Sequence, residues 1–207
     1  MINLTSLLIL ILAITIHEFS HALAADKLGD PTPRSFGRLT LNPIAHADPV
    51  GTVLLPLLSA LSGIPTIGWA KPVPIDPFNF RHPKRDMIIT SLAGPASNLL
   101  IAIIFGLISN IFHIQNIFIY LFILINISLA IFNLIPIPPL DGSKILINLL
   151  PSESGAKWEE ALNRYGFILL IILVFLPISN GHSLLTIIIS PVINFIFGLL
   201  IPGFLGV

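Results

Sequence analysis

His17-Glu18-Phe19-Ser20-His21 sets two imidazoles and a carboxylate inside Ile2 to Ala25, a stretch that is otherwise almost wholly apolar. In a helix His17 and His21, four residues apart, stack on one face, so both can reach a single ion. Glu18 then lies about 100° round from His17, placed to act on water at that ion without being a ligand. This suits a catalytic zinc site, which keeps three protein ligands and one open position. Ionisable groups at membrane depth cost roughly 2.5–3.5 kcal/mol each on insertion scales, so they usually face a bundle interior and mark a site. The bland alternative is a transmembrane polar clasp, in which the same groups only hydrogen-bond neighbouring helices.

A third ligand must come from elsewhere. Asp141 follows the proline-stiffened run Pro136-Ile137-Pro138-Pro139-Leu140, and a carboxylate oxygen is an ordinary zinc donor. Its position equally suits an N-cap for a short helix over Ser143 to Leu150. Asn98, Asn133 and His46 are further polar side chains in or beside the apolar runs. Interhelical hydrogen bonding, worth about 0.6 kcal/mol per contact in membranes, also accounts for Asn98 and Asn133. A backbone-bonded connector histidine accounts equally for His46. His82, His113 and His182 read as connector residues without assigned chemistry.

The elements that must position these groups follow from composition. The chain has 207 residues, 55% of them hydrophobic and 10% charged, with a mean hydropathy of +0.96, too apolar for an ordinary soluble domain. Its net charge of zero gives no sign of a nucleic-acid partner. With no cysteine, it has neither disulfides nor a thiol ligand or nucleophile. The fold class is therefore an all-α polytopic membrane protein, with about five to six transmembrane helices, a re-entrant element and short membrane-surface β-strands.

Ile2 to Ala25 is long enough to cross the hydrocarbon core. It lacks a basic leader region, so it reads as a retained helix rather than a signal peptide. A connector from Asp26 to Asp48 holds Gly37 to Pro43, whose alternation predicts a short strand. The apolar run Val50 to Gly63, followed by breakers up to Gly68, suits a re-entrant element. Gly68 to Ile75 reads as an extended edge strand, because its prolines favour β or polyproline geometry. Met87 to Phe112 is a span with a kink expected near Pro95, and Ile117 to Ile135 is the next. Pro151 to Arg164 reads as a polar connector before two apolar stretches, Gly166 to Asn180 and Ser183 to Leu205.

All ten Lys and Arg residues fall in three groups: Lys27, Arg34 and Arg38; Lys71, Arg81, Lys84 and Arg85; Lys144, Lys157 and Arg164. If Val50 to Gly68 does not cross, all three lie on one side, which the positive-inside rule makes cytoplasmic. The site then opens toward the cytoplasm.

Three motifs stand in order: His17 to His21, Ala93-Gly94-Pro95-Ala96-Ser97-Asn98, and Phe132-Asn133-Leu134-Ile135-Pro136-Ile137-Pro138-Pro139-Leu140-Asp141-Gly142. Together they resemble the site-2 protease family of intramembrane zinc metalloproteases, in its compact prokaryotic branch without a PDZ or CBS domain. The resemblance implies that His17, His21 and Asp141 hold zinc, that Glu18 is the general base, that Asn98 and Asn133 support the site, and that Asn98 or His46 donates to developing oxyanion charge. It divides the chain into a catalytic core, 1–150, and C-terminal helices, 151–207, that gate substrate entry. The implied activity is hydrolysis of peptide bonds within or near transmembrane segments, with a transmembrane protein substrate and the lipid bilayer as partners. The alternatives from other classes are a metal-ion transporter and a non-catalytic transmembrane-helix-binding protein.

Overall fold

The computed structural model describes residues 4–54, 70–179 and 182–202, and these are dominated by helix. Helix α1, Leu4–Leu28, carries both histidines on one uninterrupted run. It ends at Gly29, whose φ of +109° takes the left-handed geometry that commonly closes a helix. Two short turns follow, α2 at Thr32–Ser35 and α3 at Pro43–His46. The strand expected over Gly37 to Pro43 does not form. Gly37 sits at φ +67°, and the Asn42 side chain accepts from the Ile44 amide to start α3, so the backbone turns.

Of the predicted re-entrant stretch, Pro49–Leu54 forms a π-helical turn, and the rest lies outside the described residues. Residues 68 and 69 of the expected edge strand lie outside them too. Residues 70–75 have no regular secondary structure and, among the described residues, no strand partner. A 3₁₀ turn at Pro77–Asn79 leads into α4, Pro83–Ile111. Pro83 starts that helix where its missing N–H is harmless, and the Asp86 carboxylate accepts from the His82 amide at 3.0 Å. The helix runs through Pro95 without a break.

Helix α5 spans Ile117–Asn133, with Asn116 capping the Phe118 amide at 2.8 Å. The proline-rich turn then delivers α6, Asp141–Leu149, and α7, Ser152–Phe175. The polar connector predicted over Pro151 to Arg164 is instead mostly the first half of α7. The stretch contains no proline after Pro151, so nothing interrupts the helix before it turns apolar. Residues Pro177–Ser179 (β1) and His182–Ser183 (β2) pair antiparallel, a short hairpin not anticipated from the sequence. Helix α8, Leu184–Leu200, closes the described chain and passes through Pro191.

Among the described residues two helices are long and apolar enough to cross a membrane, Thr5–Leu28 and Pro83–Ile111, while α5 and α8 are apolar helices of 17 residues each. Helix α1 packs on α4 and α5, and α4 also packs on α6. A separate apolar cluster of Ala102, Ile123, Ile127, Ile193 and Phe197 joins α4, α5 and α8. The polar groups concentrate where α1, α4, α5 and the start of α6 meet.

Candidate metal centre

His17 and His21 point from one face of α1 toward the first residue of α6. His17 Nε2, His21 Nε2 and Asp141 Oδ2 form a triangle with every side 3.1 Å. All three residues are buried. Asp141 is the first helical residue of α6, with Leu140 at the cap position. Its carboxylate turns across to the imidazoles, where the three groups are placed to share an ion.

The second nitrogen of each imidazole fixes what the first can do. His17 Nδ1 donates to Asn98 Oδ1 at 2.7 Å, and His21 Nδ1 donates to the Thr90 carbonyl at 2.7 Å. The Asn98 amide orientation is itself set, because its Nδ2 donates to the Ala13 carbonyl and to Asn126 Oδ1. With the Nδ1 protons committed, neutral imidazoles present only lone pairs at Nε2. With neutral imidazoles, two nitrogen lone pairs and a carboxylate oxygen thus converge and repel one another. A cation resolves that repulsion, and the three groups are placed to hold one. Ligands about 2.0–2.1 Å from a tetrahedral ion stand roughly 3.3 Å apart, close to the observed spacing. The donor set, two imidazoles and a carboxylate, is one that catalytic zinc sites use.

Gly94, in α4, makes this approach possible. A Cβ there would lie 2.6 Å from His17 Nε2 and in collision with His21 Nε2. Gly142 has a matching role after Asp141, since a Cβ would meet the Ile135 carbonyl at 2.5 Å. Both glycines lie within the motifs, but only the tertiary approach reveals what each one excludes.

The triangle opens onto a cavity of about 540 Å³ whose lining includes Glu18, Val73, Asn133 and Lys144 among apolar side chains such as Ile14, Phe132 and Phe167. Glu18 Oε2 accepts from the Val73 amide at 3.2 Å, so the half-buried carboxylate is anchored beside the triangle. Asn133 lines the cavity while its amide donates to the Leu129 carbonyl of its own helix. Asn98 does not line it. Both ends of its amide are engaged, so it orients His17 and is not the free donor to an oxyanion that its motif position allowed. His46 does not line the cavity either, and its Nε2 donates to the Thr40 carbonyl at 2.9 Å inside the connector. Lys144 went unnoticed as a site residue, although Nζ lies 3.8 Å from Asp141 Oδ1. Its i,i+3 spacing from Asp141 was the available signal.

Two groups outside the spans brace the site. Asp30 is fully buried, and burial alone would raise its pKa. Hydrogen bonds from Thr32, the Asp76 amide and Asn79 outweigh this and hold it below the usual carboxylate range. Burial depresses the pKa of Arg38, against the pull of the Glu18 charge.

Comparison with known proteins points to a family. The family model described as "Peptidase family M50" matches residues 108–173. The Bacillus subtilis protein named "Putative zinc metalloprotease YwhC" is 38% identical over 183 residues, covering 83% of this chain and 80% of that one. "Putative zinc metalloprotease Rip2" of Mycolicibacterium smegmatis is 31% identical over 176 residues, 82% of this chain and 66% of its own length. No solved structure matches. A paired-histidine and aspartate centre at the meeting of three helices, in a chain this close over most of its length to YwhC, places the protein in peptidase family M50, the site-2 protease family.

Proposed function

We propose that this metalloprotease is an intramembrane zinc endopeptidase that hydrolyses peptide bonds within or next to transmembrane segments of other membrane proteins. The observation that carries the reading is the 540 Å³ cavity, where three converging ligand atoms and an anchored Glu18 face an otherwise largely apolar wall. Such a wall suits an unwound hydrophobic segment. Family membership and the relatives' names support zinc as the metal.

His17, His21 and Asp141 would hold the ion. Zinc held there supplies a Lewis acid that acidifies water and polarises a peptide carbonyl. Glu18 is the general base. Its carboxylate takes a proton from the attacking water as the new C–O bond forms, then passes it to the amide nitrogen as the C–N bond breaks. Asn98 and the Thr90 carbonyl keep both imidazoles in the tautomer that leaves Nε2 unprotonated. Ala70, Pro72, Val73 and Ile75 line the cavity, so this stretch is placed to contact an unwound substrate. Helix α7 borders the cavity through Phe167 and meets the proline turn through Gly166 and Pro138, a placement that suits a gate between core and bilayer. The protein is multi-pass, with the site toward the cytoplasm, as the grouping of Lys and Arg favours.

The test is paired measurement of zinc content and cleavage of a single-span substrate by purified wild type, Glu18→Gln and Asp141→Ala. Glu18→Gln is expected to keep zinc and lose cleavage, and Asp141→Ala to lose both. Cleavage by Glu18→Gln, or a wild type without zinc, overturns the reading and favours a metal-ion transporter or a helix-binding protein.

A further inference from the structure

Arg38 is one of the few charged side chains the fold buries, at 4% exposure, and it has no carboxylate within ion-pair distance among the described residues. Its guanidinium is spent on main-chain carbonyls. Nη1 donates to Ala45, and Nη2 donates to both Lys71, at 2.5 Å, and Pro72, at 2.8 Å. The acceptors come from two segments that the sequence separates by more than twenty residues, the α3 turn and the stretch 70–75. A second bond ties the same pair, from the Lys71 amide to the His46 carbonyl at 3.0 Å. The next amide along, that of Val73, is the one that donates to Glu18 Oε2. Farther on, the Asp76 amide reaches Asp30 Oδ2 at 2.8 Å. Residues 70–75 are thus pinned at both ends and touch the carboxylate in the middle. Pro72 and Pro74 contribute no N–H of their own, so this stretch cannot hold its place through a regular ladder. A planar fork with five donors can bridge carbonyls from two segments at once, which a point-charge ammonium does poorly.

We propose that Arg38 is a positioning residue for proteolysis, clasping the carbonyls of Ala45, Lys71 and Pro72 so that residues 70–75 lie along the cavity with the Val73 amide on Glu18. This rests on the proteolytic reading of the cavity. Arg38 touches neither the metal ligands nor the reacting atoms, and it acts through the segment it holds. The clasp accomplishes two things at once: it orients the base, and it fixes the side of the cavity that Ala70, Pro72, Val73 and Ile75 line.

The experiment compares full-length wild type, Arg38→Lys and Arg38→Gln in lipid nanodiscs, with Lys157→Ala, on the exposed face of α7, as a control. Zinc per protein, KM and kcat for a single-span substrate, and amide exchange of the peptide covering 71–75 are measured on each. Both Arg38 variants are expected to hold zinc as wild type does, to exchange at 71–75 at least tenfold faster, and to show a KM raised severalfold together with a lowered kcat. Arg38→Lys keeps the charge but not the fork, so its failure to rescue is part of the expectation, and it remains informative if Arg38→Gln does not fold. A merely structural role gives a different pattern, with zinc and kcat falling together at unchanged KM, and that pattern overturns the proposal. So does exchange at 71–75 equal to wild type, or wild-type cleavage despite a loosened segment. A wild type that holds zinc but never cleaves overturns the proteolytic reading instead, while faster exchange in the variants would still show the clasp.

Discussion

Gly94→Ala adds one carbon to the protein, and it should empty the metal centre. The new Cβ would sit 2.6 Å from His17 Nε2, 0.8 Å inside the 3.4 Å at which ordinary contact begins, and closer still to His21 Nε2. Neither imidazole can retreat cheaply, because each Nδ1 is held at 2.7 Å by Asn98 or by the Thr90 carbonyl. The displacement needed is several times the roughly 0.2 Å tolerance of a metal–ligand bond. Disturbing groups that only orient ligands costs about 10–100-fold in affinity, so displacing two ligands should cost at least about 100-fold. On the scale of 1.4 kcal/mol per tenfold, that is about 2.8 kcal/mol. Overpacking adds roughly 1–3 kcal/mol of destabilisation. The assay is zinc stoichiometry under competition with a chelator, with Gly37→Ala as the comparison. Position 37 has nothing within 4 Å of a new Cβ, and its φ of +67° makes alanine there strained but remote from the metal. Zinc affinity of Gly94→Ala within about threefold of wild type would refute the argument that this glycine exists to admit the two imidazoles.

Asn98→Ala should keep the fold's outline but lower zinc affinity by about 10–100-fold, since His17 loses the acceptor that fixes its tautomer; chelator competition measures it. Gly142→Ala should lose both stability, by roughly 1–3 kcal/mol, and zinc, because the new carbon meets the Ile135 carbonyl next to Asp141, which is placed to hold the ion; thermal unfolding with metal analysis checks both. Asp30→Ala should destabilise the protein by about 1–3 kcal/mol at neutral pH, when a charged acceptor of several hydrogen bonds is removed. Because the folded pKa of Asp30 is lowered, its contribution is fully present above the ordinary carboxylate value of about 3.9 and fades as pH falls from there through the lowered value. Unfolding curves of wild type and Asp30→Ala should therefore converge below about pH 4.

What the sequence determined by itself is the part set by local geometry. Two histidines four residues apart in an apolar run must share a helix face, and Glu18 must lie beside them, whatever else the chain does. The same holds for the proline turn that ends α5 and for the helices whose apolar runs are long. Local rules went wrong where proline and alternation were the only signals. Gly37 to Pro43 alternates like a strand but turns, because a left-handed glycine and an asparagine cap satisfy its backbone locally. The first half of α7 is polar enough to resemble a connector, yet nothing in it breaks a helix.

Tertiary structure decided everything that depends on which distant atom arrives. Asn98 and Asn133 look alike in the sequence; one orients His17 from inside the bundle, and the other lines the cavity. Asp141 suits a helix cap or a ligand equally until α6 is docked and its carboxylate faces two Nε2 atoms. Gly94, Arg38, Asp30 and the Val73 amide have no chemistry that periodicity can flag. Their roles come from close approach between segments tens of residues apart, and short-range pattern carries no record of such approaches.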